Sequence, residues 1–249
     1  MKTRVFIGCL ASFLALATLA WAADPAPGKI RVLLTHGGHA FETVPFFALF
    51  DSIPDVVYTK AEMPKAAELL KPGLEKQYDV LVMYDMNRKI TPEQQAAFIA
   101  LLNTGIGVVS LHHNVGANAD WPEFRKIIGG KFVFADAEID GTAYKKTPWK
   151  HDETLDVTIA DKQHPITRGL KDFTIHDETY GKFYVAPGVH VLLTTKHPNN
   201  NPELAWVTKY GNSPVVYLML GHDGKAYENP NYVELVSRSI RFAAGRLRD

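Results

Sequence analysis

The sequence predicts an α/β protein with a mainly parallel sheet, helices on both faces and an antiparallel extension. Continuous apolar runs at 30–35, 79–84 and 107–111 have the composition of strands that are buried on both sides. Helical segments alternate with these runs, as the connections of a parallel sheet require. From about 130 to 210 the apolar runs are short and no strong helices separate them. This change of pattern predicts antiparallel pairing in the second half of the sheet.

The elements of the first half follow from local sequence. Glu42 lies in the first turn of a helix that tolerates Pro45 only near its start. Thr91 followed by Pro92 is a typical helix start, with threonine as the cap and proline at the first helical position. The predicted strands of this half are 30–35, 56–58, 79–84 and 107–111, and the predicted helices are 41–50, 64–70 and 91–103.

The second half has short apolar runs, one buried strand and a closing helix. The runs at 155–159, 173–175 and 191–195 have the length and separation of antiparallel or edge strands. The segment 215–220 returns to the buried type, and a helix over 231–244 closes the chain. No internal repeat or low-complexity linker divides the sequence, so we expect a single domain.

The N-terminus has the three parts of a secretory signal. A positively charged start precedes an apolar run from 5 to 19, and Ala20-Trp21-Ala22 places small residues at the cleavage positions. We therefore predict a signal peptide over residues 1–22 and a mature chain that is periplasmic or secreted. The apolar run is shorter than the roughly 20 residues of a membrane anchor. No other stretch of the sequence is apolar enough to span a membrane.

The composition of the mature chain excludes several classes of function. Its only cysteine, Cys9, lies inside the predicted signal, so the mature chain has no disulfide, cysteine metal ligand or cysteine nucleophile. Loss of Lys2 and Arg4 changes the balance from 27 basic and 27 acidic residues to 25 and 27. This balance indicates neither nucleic acid nor a membrane surface as a partner.

Polar side chains follow most of the predicted strands at the point where each strand ends. Ligands of an open parallel sheet bind beyond the carboxyl ends of its strands, so these residues predict a pocket lined by histidines and carboxylates. The residues concerned are His36, His39, Asp85, Asn87, His112, His113, Asn114, His222 and Asp223 and, after the 173–175 run, His176, Asp177, Glu178 and Tyr180.

Not all of these side chains need a chemical role. The strand ends that carry His39, His113 and His222 meet in this fold, which favours these three as functional residues. One of Asp177 and Glu178 is expected to be a structural capping carboxylate. Aromatic residues that either stack on a sugar or pack in the core are Trp121, Trp149, Trp206 and Tyr227. Histidines that we interpret as loop residues bonded to the backbone are His36, His151, His164, His190 and His197.

Five short motifs occur in a fixed order along the chain. They are Gly37-Gly-His-Ala-Phe41, Gly107-Val-Val-Ser-Leu-His-His113, His164-Pro-Ile-Thr-Arg-Gly-Leu170, Asp177-Glu-Thr-Tyr180 and Gly221-His-Asp223. This set resembles the ThuA-like (trehalose-utilisation) family over nearly the whole mature chain. The resemblance implies a ThuA-like domain over 23–249, with the flavodoxin-like, doubly wound sheet of the class I glutamine amidotransferase-like superfamily. It also implies a role in the use of trehalose or related sugars, and therefore a small-molecule carbohydrate as the partner.

The sequence departs from the pattern of its relatives at two positions. Ala40 stands where family members often have an aspartate after the first-strand histidine. The superfamily places a nucleophilic cysteine at the turn that here reads Leu111-His-His-Asn114. Without a thiol, glutaminase chemistry through a cysteinyl thioester is excluded. A serine triad is also disfavoured, because Ser110 lies inside the strand and not at its tip.

Three hypotheses about function remain open, of which an enzyme acting on a carbohydrate or keto-sugar is favoured. Acid–base catalysis would use His113 and His222 with Asp177 or Glu178. The predicted substrate-binding residues are His39, His112, Tyr180, Asp223, Tyr227 and Trp121.

The second hypothesis is that His39, His113 and His222 hold a divalent metal ion such as zinc. The ion would polarise the carbonyl group or activate water. No HExxH spacing occurs in the sequence to support it. The third is a non-catalytic, periplasmic sugar-binding module that uses the same pocket and its aromatic rim.

Overall fold

A computed structural model describes residues 28–86 and 89–247 of the chain. The predicted signal peptide, Cys9 and Asn87 lie outside these residues, so the signal stays a prediction. Across the two described ranges, no helix has the length and apolar character that crossing a membrane requires.

The described residues form thirteen strands and five α-helices. The strands are β1 (Ile30–Gly37), β2 (Val56–Glu62), β3 (Val80–Asp85), β4 (Gly107–Leu111), β5 (Gly130–Lys131), β6 (Ala137–Ile139), β7 (Thr142–Tyr144), β8 (Trp149–Ile159), β9 (Phe173–Tyr180), β10 (Tyr184–Val185), β11 (His190–Thr195), β12 (Glu203–Tyr210) and β13 (Ser213–Leu218). The helices are α1 (Thr43–Asp51), α2 (Pro92–Leu102), α3 (Pro122–Ile128), α4 (Gly224–Tyr227) and α5 (Pro230–Ala243). Short 3₁₀ turns lie at Lys65–Leu69, Leu74–Lys76 and His112–Gly116.

Nine strands form one mixed sheet in the order β2-β1-β3-β4-β13-β12-β11-β8-β9. The first five are parallel, and their order is that of the flavodoxin-like fold. From β13 to β9 each neighbouring pair is antiparallel. The predicted fold class, a doubly wound parallel sheet with an antiparallel extension, is therefore confirmed.

The two parts of the sheet differ in how they meet the core. Every residue of β3 and β4 is buried, as continuous apolar runs require. In β8, by contrast, buried and exposed side chains alternate from Leu155 onward. Helix α5 packs against β3, β4 and β13, and α3 packs against β12 and β13. The predicted start of α2 is also confirmed, since Thr91 and Gln94 form a reciprocal capping box.

The main difference from the predicted elements is the length of the antiparallel strands. The 155–159 and 173–175 runs are parts of the longer strands β8 and β9. Residues 176–180 therefore lie within a strand and not beyond its end. Pairing with β8 satisfies their backbone groups, so polar side chains do not terminate β9. Apolar composition alone could not show this extension, and it also missed β12.

The end of the antiparallel extension lies against the carboxyl edge of the parallel strands. Although β9 is four strands away from β13 in the sheet order, the Asp177 carboxylate accepts hydrogen bonds from the backbone amides of Gly221 and His222. These two residues follow β13. The extension thus folds over the edge at which β1, β4 and β13 end, and it covers the site that this edge forms.

Candidate active site: a histidine and carboxylate cavity

A cavity of about 470 Å³ lies at this covered edge. Its volume is within the usual range for small-molecule sites. Imidazoles, a carboxylate and aromatic rings line it together. The polar lining residues are His39, His113, Lys146, His151, His222 and Glu178, and the aromatic ones are Phe132, Phe134, Trp149 and Tyr180.

Three of the imidazoles come from the ends of parallel strands. His39 follows β1, His113 follows β4 and His222 follows β13. The ring centroids of His39 and His113 are 4.7 Å apart, and those of His39 and His222 are 6.4 Å apart. The predicted convergence of these three residues is confirmed. Their roles in binding or chemistry stay predictions.

His112 occupies a strained turn directly after β4. Its φ is 46°, in the left-handed region that non-glycine residues seldom adopt. The side chain is fully buried, and its Nδ1–H donates to the Met219 carbonyl at 2.6 Å. Its Nε2 lies 2.9 Å from the Tyr180 hydroxyl and 3.1 Å from Glu178 Oε2. The His112 ring is therefore directed toward the Glu178 carboxylate. Glu178 lines the cavity, whereas His112 does not.

Glu178 is the carboxylate at the centre of the cluster. Its Oε2 contacts His112 Nε2 at 3.1 Å and His222 Nδ1 at 3.2 Å, while Oε1 contacts His151 Nδ1 at 3.3 Å. Burial raises the pKa of Glu178, but hydrogen bonds and charge interactions with His112 and His222 outweigh burial and hold that pKa well below its usual range. The side chain is thus a carboxylate anion with imidazole nitrogens on both oxygens.

Asp177 is the structural member of the neighbouring acidic pair. Its oxygens accept backbone hydrogen bonds from Gly221 at 2.7 Å, from Glu178 at 2.8 Å and from His222 at 3.0 Å. Burial raises its pKa despite these bonds. It does not line the cavity. We therefore correct the sequence-based assignment, in which Asp177 was a catalytic candidate: it fixes the turn that presents His222.

The turn at His222 depends on the glycine before it. Gly221 has a φ of 109°, and a Cβ at this position would overlap the Tyr232 hydroxyl. Burial lowers the pKa of His222, but the hydrogen bond to Glu178 and the charges of the nearby carboxylates together outweigh burial, so the net pKa is raised. Tyr227 supports the same turn, since its hydroxyl donates to the His222 carbonyl at 2.7 Å.

His113 differs from the other imidazoles in its hydrogen bonding. Its Nε2–H donates to the Tyr84 carbonyl at 2.9 Å, so Nδ1 carries the lone pair of the neutral ring. This Nδ1 is buried and has no hydrogen-bond partner in the described part of the chain. Burial is the main reason why the pKa of His113 lies well below its ordinary value, and the neighbouring His112 and His39 lower it further.

His151 is a lining residue that the sequence interpretation missed. In the pairing of β8 with β9, Lys150 faces Thr179 and Glu153 faces Asp177, so two residues of β8 oppose Glu178 alone. This β-bulge aims the His151 ring at the cavity, with its centroid 4.5 Å from that of His222. The sequence did not indicate this bulge, because the residues around it are mostly exposed and show no alternation of apolar and polar side chains. The sequence-based interpretation of His151 as a loop histidine was therefore wrong.

Several residues predicted to bind substrate lie elsewhere. Tyr180 lines the cavity, whereas Tyr227 and Asp223 do not. Tyr227 is buried beneath the His222 turn, and Asp223 caps α4 through its side chain. Trp121 packs on Phe124 in the core. Trp149 is the tryptophan at the cavity, and its 53% exposure leaves a ring face open to a ligand.

The predicted set of metal ligands also needs correction. Among the described residues, the group whose ligand atoms could hold an ion is His112, Glu178 and His222, with those atoms within 4.8 Å of one another. Of the predicted set, only His222 belongs to it. His39 Nδ1–H donates to the Ala40 carbonyl, and His113 Nε2–H is bonded to Tyr84. The sequence could not show that His112 adopts a positive φ and that its ring, and not the His113 ring, faces the carboxylate.

The fold and the cavity define a flavodoxin-like α/β protein with a histidine and carboxylate site at the carboxyl edge of its sheet. The sequence model of the family described as trehalose utilisation (ThuA) matches residues 52–243. The chain therefore belongs to the ThuA family, and it is a protein associated with trehalose utilisation.

Solved structures agree with this fold. A putative ThuA-like protein from Parabacteroides merdae superposes with a TM-score of 0.74 at 20% identity, over 89% of this chain and 92% of that one. A second, from Bacteroides uniformis, has a TM-score of 0.64 at 20% identity, over 89% and 94%. A cytoplasmic protein from Salmonella typhimurium has a TM-score of 0.61 at 10% identity, over 86% and 99%. No curated protein matches the chain.

Proposed function

We propose that this protein is an exported enzyme that moves a proton within a carbohydrate, at a carbon next to a carbonyl group. The observation that carries the proposal is the composition of one cavity. Four imidazoles, the Glu178 carboxylate and several aromatic rings line it together. Sugars bind in this way when an apolar ring face stacks on an aromatic side chain and hydroxyl groups meet polar side chains.

His113 is the candidate general base. Because its Nε2–H is bonded to the Tyr84 carbonyl, Nδ1 is the basic atom of the ring, and this atom has no partner among the described residues. A keto-sugar in the cavity would give a proton to His113 Nδ1 as the C–H electrons form an enediolate. Return of that proton to the former carbonyl carbon, with transfer of the neighbouring hydroxyl proton to the former carbonyl oxygen, completes an isomerisation in which no co-reactant is consumed.

The polar group next to His113 suits the carbonyl oxygen of such a substrate. His222 and His151 both line the cavity and both contact the Glu178 carboxylate. Each ring faces Glu178 through Nδ1, so a ring that also carries a proton on Nε2 can donate it to the oxygen on which negative charge develops. The raised pKa of His222 favours this doubly protonated ring. His39 lies next to both the base and a donor, since its ring centroid is 4.7 Å from that of His113 and 6.4 Å from that of His222.

Solvent exchange tests the reaction directly. Trehalose and its 3-keto derivative would be incubated with the purified protein in D₂O, and exchange at carbons next to the carbonyl followed by proton NMR. We expect exchange with the keto-sugar, and a loss of roughly 10²–10⁴-fold in rate for His113→Gln. The matched control is His190→Gln, because His190 lies on β11 and pairs with Asp161 away from the cavity.

Binding of the keto-sugar without exchange or turnover would overturn the enzyme and leave a sugar-binding module. Equal rates for His113→Gln and the control would remove His113 as the base. The export part of the proposal has its own test, since the intact mass of the secreted protein should begin at about Ala23. A mass that still includes Met1 would contradict it.

A further inference from the structure

We propose that His112 Nε2, Glu178 Oε2 and His222 Nδ1 together bind one divalent transition-metal ion, with zinc as the reference ion. This inference extends the proposed function, because it names the group that would receive the substrate oxygen. Its test is metal binding itself, so it can succeed or fail independently of sugar turnover.

The three atoms form a nearly equilateral triangle. His112 Nε2 and Glu178 Oε2 are 3.1 Å apart, Glu178 Oε2 and His222 Nδ1 are 3.2 Å apart, and the two nitrogens are 3.3 Å apart. Tetrahedral zinc with bonds of 2.0–2.2 Å to nitrogen and oxygen places its ligand atoms about 3.3 Å from one another. The triangle therefore has the dimensions of one face of such a site.

Hydrogen bonds outside the triangle prepare His112 to be a ligand. The Met219 carbonyl can only accept a hydrogen bond, so the 2.6 Å contact requires the proton of a neutral ring to be on Nδ1. The lone pair is then on Nε2, which faces the Glu178 carboxylate. A ligating histidine usually donates its other N–H to a carbonyl or carboxylate in this way, which fixes the tautomer and the ring orientation. The Nε2 lone pair and the Glu178 carboxylate oxygen face each other, and a cation between them would replace the Tyr180 hydroxyl, 2.9 Å from Nε2, as the partner of that lone pair.

The three ligand side chains differ in how much of their surface is exposed. His112 is fully enclosed, whereas the side chains of Glu178 and His222 are 6% and 18% exposed and both line the cavity. An ion at the triangle would thus have protein on one side and the cavity on the other. Three protein ligands with an open fourth position are typical of catalytic zinc sites, where the open position takes water or a substrate oxygen. The ligand class this predicts is a sugar whose carbonyl or hydroxyl oxygen completes the coordination.

The site would also connect the two parts of the sheet. His112 and His222 follow the parallel strands β4 and β13, and Glu178 lies on the antiparallel strand β9. An ion that binds only the folded arrangement stabilises it by mass action. Added metal should therefore raise the thermal stability of the protein, and chelation should lower it.

The experiment measures metal in the purified protein and in four variants. Each protein is stripped with a chelator, titrated with ZnCl₂ by calorimetry, and assayed for bound zinc by elemental mass spectrometry after gel filtration. We expect one zinc per chain, and an affinity at least about 100-fold weaker in Glu178→Gln and His222→Gln, since loss of a ligand exceeds the 10–100-fold cost of losing an outer-shell partner. His39→Gln and His113→Gln are the matched controls and should keep one zinc per chain.

Circular dichroism without metal shows whether each variant is folded, and only folded variants enter the comparison. If Glu178→Gln does not fold, His222→Gln alone decides, because its side chain is partly exposed. A wild-type protein that takes up no zinc, manganese or iron would overturn the proposal and leave the three side chains joined by hydrogen bonds alone. Loss of zinc in His39→Gln or His113→Gln, with retention in His222→Gln, would overturn the ligand set. Sugar turnover by the metal-free protein would leave the proposed function standing and would overturn only the role of the ion in receiving the substrate oxygen.

Discussion

The parallel and antiparallel parts of the sheet supply different components of the cavity. The loops after β1, β4 and β13 supply His39, His113 and His222. The antiparallel strands β8 and β9 supply Trp149 and His151, and Glu178 and Tyr180. The polar centre forms only where the two parts meet, because Glu178 contacts imidazoles from both of them.

This division has a physical cause. In a parallel sheet all strand ends of one polarity meet at one edge, so loop residues converge whatever the details of packing. A side chain within an antiparallel strand reaches a site only if strand length, register and curvature bring it there. Glu178 meets these conditions through the bulge in β8 that opposes it and through the Asp177 contacts to Gly221 and His222.

The largest expected effect is on the free energy of unfolding when a charged side chain is introduced into the parallel part of the sheet, compared with the antiparallel part. Val109 is fully buried at the centre of β4, so Val109→Asp places a carboxylate among apolar side chains. We expect a loss of at least about 4 kcal/mol in the free energy of unfolding, which is a large fraction of the roughly 5–15 kcal/mol typical of native domains. Denaturant unfolding followed by circular dichroism measures it.

Thr158→Asp on β8 is the matched variant of the antiparallel part. Its side chain is exposed between the buried Val157 and Ile159, and a surface change of this kind is worth about 0.5 kcal/mol or less. Similar losses for Thr158→Asp and Val109→Asp would mean that β8 is covered on both faces, which would contradict the comparison.

A second, smaller effect tests whether the antiparallel part binds the sugar. Trp149→Ala removes the exposed ring at the cavity, and stacking of aromatic rings is worth about 0.5–1.5 kcal/mol. Affinity for the sugar should therefore weaken about 2- to 12-fold, with little change in kcat. Trp149→Phe should retain most of the affinity because it keeps a ring. A drop in kcat with unchanged KM would instead place Trp149 in the chemistry.

The smallest effect concerns an ion pair of the parallel part, far from the cavity. Arg241 on α5 donates two hydrogen bonds of 2.7 and 2.8 Å to Asp55. Chiefly this side-chain hydrogen bonding lowers the Asp55 pKa below its ordinary value of 3.8. A lowered carboxyl pKa stabilises the fold above pH 3.8 and loses this effect as the pH falls through the folded value. Because the pair is partly exposed, Asp55→Asn should cost no more than about 1 kcal/mol at neutral pH.

Thermal unfolding across pH measures this difference between the wild type and Asp55→Asn. The difference should be constant near neutral pH and should disappear below pH 3.8 as Asp55 becomes protonated. A difference that persisted at strongly acidic pH would show that packing, and not charge, is responsible.

Most of the fold and half of the site were predictable from the sequence. The buried runs 79–84 and 107–111 correspond to β3 and β4 with shifts of at most one residue, because apolar composition directly reflects burial on both faces. The histidines at strand ends were predictable because the apolar runs show where each strand ends, and the carboxyl ends of parallel strands meet at one edge. His151 was not, since a bulge leaves no periodic pattern in the sequence.

The sequence by itself determined the parallel order of elements, the absence of a cysteine nucleophile from the predicted mature chain, and the meeting of His39, His113 and His222. These follow from local composition and from the geometry common to all parallel sheets. Only the tertiary structure decided that His112 turns toward Glu178 and that Asp177 serves the backbone. Those outcomes depend on a positive φ, a strand register and a contact between β9 and the turn after β13. Such features arise from packing between segments that are distant in sequence, and single-residue patterns do not encode them.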